Sequence, residues 1–177
     1  MLTQAFHFRI LEDSLKVMNK HALVLCQKLQ SHCSEDAIDM FNVVALCALD
    51  IICETAMGCS IKAQENSESE YVKAVSTSTD IIYQRVMSPW LWSDFPFWKS
   101  YHGFKLKHCL KILHGFTSKV INDKLKDIEN LQLLENAPKR KLAFLDLLIE
   151  ASNGGASLTK EDIREEVDTF MFEGKIY

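Results

Sequence analysis

Glycine and proline are scarce in this chain: 6 Gly and 3 Pro in 177 residues. That scarcity excludes collagen-like and low-complexity architectures, and an apolar content of 47% excludes disorder. A cationic excess is also lacking. The chain has 20 Lys+Arg against 24 Asp+Glu, a net charge of −4, which argues against general nucleic-acid binding. No basic stretch followed by an apolar run opens the sequence, so no targeting segment is expected in this chain. His102, His108 and His114 recur at six, about 240° apart on a helix, and cannot share one metal. With no Cys-x-x-Cys or His-Glu-x-x-His spacing either, no metal site is expected. Gly154-Gly155 lacks the flanks of a phosphate loop. Alternation of period two is missing throughout, which predicts an all-α chain forming a single domain over 1–177.

What is present fits helices. Phe8, Leu11, Leu15, Met18, Ala22, Leu25 and Leu29 form a 3–4 spaced stripe, predicting an amphipathic helix with that face inward. Residues 37–58 are apolar nearly all round and close on Gly58. The run Met40 to Met57 is long enough to suggest a membrane span, but Asp50 and Glu54 within it predict a buried helix instead. A helix over 70–86 should turn Tyr71, Val75, Ile82 and Val86 inward. Residues 88–100 read as irregular and aromatic. A long helix follows over 104–134 and a short one over 142–151, stopped by Asn153-Gly154-Gly155. The last begins at Thr159, with Asp162 completing a capping box and Ile163, Val167, Phe170 and Met171 inward. The six cysteines are expected as reduced, structural thiols.

Two features carry functional weight. The stretch Pro89 to Trp98 holds all three tryptophans, and reads either as a membrane-interface anchor or as a packed loop. Residues 99–141 carry 10 basic and 4 acidic side chains while each flank is net −5, which reads first as a solvated helix face, docking of an acidic partner being the alternative. In the last helix most carboxylates complement the helix dipole, but Glu173 lies four turns in, after Phe170-Met171-Phe172 and before Gly174.

These segments resemble the cytochrome P-450 monooxygenases, in particular the family-four branch of fatty-acid ω-hydroxylases and their insect relatives. The carriers include Leu2-Thr3-Gln4-Ala5-Phe6-His7-Phe8, the run Leu49 to Gly58, and Ser88-Pro89-Trp90-Leu91-Trp92. Leu113-His114-Gly115-Phe116-Thr117, Phe144-Leu145-Asp146-Leu147-Leu148 and the specific run Glu166 to Gly174 complete them. The resemblance implies part of that fold: the end of helix C, helices D to H and the opening of helix I, without a sheet. It also implies a haem-thiolate oxidoreductase that hydroxylates fatty acids or similar lipophiles with molecular oxygen and electrons from an NADPH-dependent reductase. The implied location is the cytoplasmic face of the endoplasmic reticulum membrane, with 88–98 against the bilayer. Glu173 matches a glutamate that forms an ester with a haem methyl, and Gly174 a glycine that lets helix I pass close over the haem. After Gly174 the match to His-Asp-Thr-Thr is replaced by Lys175-Ile176-Tyr177, and none of the six cysteines stands in a haem-loop context. The chain is therefore expected to be an internal fragment with no catalytic residue and no iron ligand, binding no haem and inactive by itself. The alternative is a non-catalytic truncated helical module.

Overall fold

The computed structural model describes residues 8–31, 33, 37–132, 143–153 and 159–176, and among these every regular element is helical. The order is α1 (Phe8–Ser31), α2 (Met40–Ile52), α3 (Glu70–Met87), α4 (Asp94–Lys99), α5 (Tyr101–Gln132), α6 (Phe144–Asn153) and α7 (Lys160–Ile176). The all-α expectation holds.

The core forms around the end of α2. That helix widens over Cys53–Met57 into one π turn and stops at Gly58, whose φ of 66° is left-handed. Leu49, Cys53 and Met57 meet Leu145 and Ile149 of α6, Ile163, Val167 and Met171 of α7, and Ile121 of α5. The α2 segment packs against α1 and α7 and its π turn against α6, so a run of membrane-spanning length is a core helix here, with Asp50 and Glu54 bonded inside the protein. It is not buried throughout. Met40, Phe41 and Val44 in its first turns stand exposed.

Gly58 sits where a side chain has no room. An added Cβ would lie 2.8 Å from Lys124 Nζ and 3.2 Å from Ala143 Cβ. Gly58→Ala combines a left-handed residue, unfavourable by about 1–2 kcal/mol, with that crowding. The expected result is a lower thermal midpoint, read by circular dichroism. An unchanged midpoint would mean that the turn relaxes freely.

The predicted stripe of α1 is corrected. Leu15, Met18 and Ala22 are exposed, Leu25 and Leu29 are half-buried, the side chains of Phe8 and Leu11 lie outside the described ones, and among the described side chains of α1 the buried one is His21. Directional bonds set the rotation. The His21 ring lies 2.7 Å from Glu54 Oε2, while its carbonyl accepts from Gln64 Nε2 at 3.4 Å and Cys47 Sγ at 3.6 Å. Burial draws the Glu54 carboxyl upward, but the bonds and charges of Lys20 and His21 outweigh it and leave it below its ordinary value.

In α3 the Ser69 side chain accepts from the Val72 amide, and Val72, Val75 and Ile81 point inward, Tyr71 and Ile82 partly so. Val86 does not: it is exposed at the end of the helix, where its carbonyl accepts from Trp92 Nε1 at 3.1 Å. Residues 88–100 are not irregular. A 3₁₀ turn at Pro89–Leu91 leads into α4, held by Phe97, which is fully buried beneath the Arg85 guanidinium 4.2 Å from its ring. Gly103 lets α5 start tightly against α4, since an added Cβ would lie 2.8 Å from Trp98 Cα.

The long helix begins at Tyr101, three residues before its expected start, and positions 133–134 and Pro138 lie outside the described residues. The short helix runs Phe144–Asn153, with Leu142 and the Gly154-Gly155 stop also outside them. At α7 the capping box forms: Thr159 N–H donates to Asp162 Oδ2 at 2.8 Å and Asp162 N–H to Thr159 Oγ1 at 3.1 Å. Those bonds hold the Asp162 carboxyl below its ordinary value. Ile163, Val167 and Met171 are buried and Phe170 stacks on Phe144 at 4.6 Å, as the spacing predicts.

Candidate functional site

A cavity of about 300 Å³ opens between α3, α5 and α7. Its walls are mostly apolar: Val75 and Ile82 from α3, Leu110 and Leu113 from α5, Met171 and Phe172 from α7. The helical repeat explains the convergence, because Val75 and Ile82 are two turns apart on one face of α3, and Leu110 and Leu113 one turn apart on α5.

The polar side chains on this wall are mostly occupied. Ser78 Oγ donates to Ala74 O at 2.7 Å and Thr169 Oγ1 to Glu165 O at 2.9 Å, each within its own helix. Asp168 bridges two helices: its Oδ2 lies 2.7 Å from His114 Nδ1, and its Oδ1 accepts from Thr117 Oγ1 at 2.6 Å. Arg164 Nε approaches the same carboxylate at 3.8 Å. Tyr71 lies tilted against Phe116 with ring centroids 4.1 Å apart, and burial, with further push from Cys53, Cys59 and Asp168, raises its phenol so far that it stays neutral. The site can shelter a lipophile and offers it few competing polar contacts.

Sequence reasoning did not find the His114–Thr117–Asp168 tie. Asp168 was one of several carboxylates attributed to the dipole of α7, and His114 entered only through its spacing. The available signal was faint: His114 and Thr117 lie three apart, on one face of α5. Glu173 and Gly174 follow Phe172 directly on α7, in helical backbone, but their side chains lie outside the described residues. The thiols fit a structural role. Cys47 and Cys53 are buried and their pKa values raised by burial, and Cys59 is pushed up to about 11 even though Lys124 opposes the rise.

The family model described as cytochrome P450 matches residues 1–175. The chain belongs to the cytochrome P450 family. Among its relatives, cytochrome P450 4V2 of Homo sapiens is 46% identical over 182 residues, which cover 98% of this chain and 35% of the relative. Cytochrome P450 4c3 of Drosophila melanogaster is 47% identical over 189 residues, with the same 98% and 35% coverage. Cytochrome P450 4c21 of Blattella germanica is 38% identical over 180 residues, covering 98% of this chain and 36% of that protein. The chain thus spans only about a third of the length of these curated relatives.

Family membership implies haem, and the described residues fit that cofactor on one side only. The apolar wall of α3, α5 and α7 suits contact with an apolar group. A thiolate ligand is a different matter: none of Cys47, Cys53 and Cys59 lines that wall. These three do not fit as iron ligands.

Proposed function

We propose that the protein of which these residues are part is a haem-thiolate monooxygenase acting on fatty acids or similar lipophiles. Its electrons would come from an NADPH-dependent reductase, and its place is the cytoplasmic face of the endoplasmic reticulum membrane. The observation that carries this reading is the apolar cavity of about 300 Å³ between α3, α5 and α7, in a chain of this family. Haem, when bound, supplies oxygen activation and insertion into a C–H bond. The residues of this chain contribute the surroundings of that chemistry. Leu110, Leu113, Met171 and Phe172 exclude water and accept an alkyl chain, while neutral Tyr71 adds no charge to the wall. Asp168, held by His114 and Thr117, fixes α7 against α5 and so positions the residues that follow it.

Glu173 and Gly174 are proposed as the cofactor contacts. Glu173 would form an ester with a haem methyl, one methyl C–H bond and the carboxyl O–H bond being broken and molecular oxygen with two reductase electrons taking up the hydrogens as water, and Gly174 would let the backbone of α7 lie close to the ring. In a version spanning the length of the relatives, Glu173→Ala is expected to leave turnover possible but to release haem into acidic organic solvent, where the unaltered protein retains it. Equal retention in both would refute the ester. The exposed aromatics of 88–98 are proposed to meet the bilayer.

The substrate class is tested by reconstituting that longer protein with reductase and lipid and measuring NADPH-dependent hydroxylation of a fatty acid. Formation of a thiolate-type carbonyl spectrum without any hydroxylated product would refute the fatty-acid assignment. The 177 residues by themselves are proposed to be a non-catalytic helical module, a reading favoured by the placement of Cys47, Cys53 and Cys59 away from the cavity wall. A thiolate-type carbonyl spectrum from this chain with added haemin would refute it.

A further inference from the structure

The cavity between α3, α5 and α7 has a polar end. Tyr71, at the start of α3, lies against Phe116 of α5, and His114 of α5 is bonded to Asp168 of α7, whose charge also reaches the Tyr71 phenol. The other end is apolar. Ile82 lies about 16 Å beyond Tyr71 along α3, and Leu110 and Phe172 lie about 6 Å from His114 and Asp168 along their own helices. At the polar end the hydrogen-bonding capacity can be counted. Both Asp168 oxygens already accept, Oδ2 from His114 Nδ1 at 2.7 Å and Oδ1 from Thr117 Oγ1 at 2.6 Å. The hydroxyls of Ser78 and Thr169 donate within their own helices. Two lining groups have no hydrogen-bond partner among the described residues: the Tyr71 hydroxyl and His114 Nε2. A carboxylate only accepts, so the ring proton sits on Nδ1 and Nε2 keeps its lone pair. Tyr71 is neutral and keeps its O–H. This end therefore offers one neutral acceptor and one neutral donor.

We propose that this end of the cavity recognises the hydroxyl group of a lipophile, whose O–H donates to His114 Nε2 and whose oxygen accepts from the Tyr71 O–H. The inference rests on the lipophile reading of this cavity and adds to it the polar group that the guest carries there. A hydroxyl fits because it donates once and also accepts. An ether cannot donate, and leaves Nε2 unpaired. A carboxylate cannot donate either, and it brings a second negative charge towards Asp168. Asp168 acts on the guest through the imidazole alone: by holding Nδ1–H it fixes the tautomer and the ring orientation, and so makes Nε2 an acceptor. It is a positioning residue, and His114 and Tyr71 are the residues that select the guest.

The test is calorimetric binding of decan-1-ol, 1-methoxydecane and decanoate to the 177-residue chain at about pH 8, where imidazole is neutral. Decan-1-ol is expected to bind roughly tenfold more tightly than either of the others, as one hydrogen bond gained or lost implies. Imidazole nitrogen NMR spectra give a reading that a merely structural role would not move. The His114 Nε2 resonance, assigned through His114→Gln, should shift with decan-1-ol and stay in place with 1-methoxydecane. His114→Leu should bring the alcohol down to the affinity of the ether, with circular dichroism to confirm that the variant keeps its helicity; if it does not, the spectra of the unaltered chain decide. Tyr71→Phe keeps the ring and removes the donor, so it should weaken alcohol and ether alike and preserve the preference between them. Equal affinity for alcohol and ether, a tighter decanoate, or an Nε2 resonance that the alcohol leaves in place would overturn the inference while the cavity reading stands. Binding of none of the three would refute the cavity reading and the inference together.

Discussion

Lys124→Met is expected to lower folding stability by about 3–5 kcal/mol, a fall in thermal midpoint on the order of 10 °C for a chain of this size. Lys124 Nζ lies 3.1 Å from Asp146 Oδ1 and 3.3 Å from Oδ2, and the two side chains are only 8% and 3% exposed. Removing the ammonium leaves a carboxylate inside the protein without its counter-charge. Asp146 also caps α6, accepting from the Ala143 amide at 2.8 Å, so it cannot simply swing out to water. The double variant Lys124→Met/Asp146→Asn keeps an acceptor for that amide and removes the charge, and should recover most of the loss. A midpoint that the single substitution leaves in place, or a double variant no better than the single, would show that the pair contributes little.

Asp50→Ala should lose roughly 2–6 kcal/mol, about 1–3 for each buried donor left without an acceptor. The Asp50 carboxylate, 2% exposed, accepts from the Ala63 amide at 2.6 Å and the Gln64 amide at 2.9 Å. Through these two bonds a side chain of α2 shapes the connection to α3, since Ala63 and Gln64 are themselves buried. Hydrogen exchange gives a direct reading: the Ala63 and Gln64 amides should lose protection in the variant by more than the core amides of α2 do. Asp50→Asn keeps one acceptor and should fall between the two. Unchanged protection at both amides would remove this role from Asp50.

Most of the helices could be read from the residues because their causes are local. The capping box at Thr159 and Asp162 involves positions three apart, and the glycine that ends the α2 run needs only its own backbone freedom. The inward face of α7 followed its apolar spacing for the same reason. The rotation of α1 did not, because it depends on Glu54 and Gln64, 33 and 43 residues from His21. Helix α4 was missed since a six-residue turn of mixed rings has no periodicity to read, and it exists through Phe97 and Arg85. The cavity belongs to the same class. Its walls come from three helices, and the Asp168 that joins two of them lies 54 residues from His114. Glu173 and Gly174 came from resemblance alone. Residue chemistry identified only a carboxylate out of place in an apolar run.

The three walls of the cavity are not equally free to yield. Between α5 and α7, Asp168 is gripped from both sides by directional bonds, and any relative displacement of those helices would stretch two contacts already at 2.6 and 2.7 Å. The hydroxyls of Ser78 and Thr79 turn back onto their own helix, so α3 meets α5 largely through side chains that care about distance and little about direction. Apolar surfaces of this kind tolerate small sliding steps that hydrogen-bonded ones resist. Of the three walls, α3 is therefore the one expected to yield, in small sliding steps along α5, while the contact of α5 with α7 keeps its geometry.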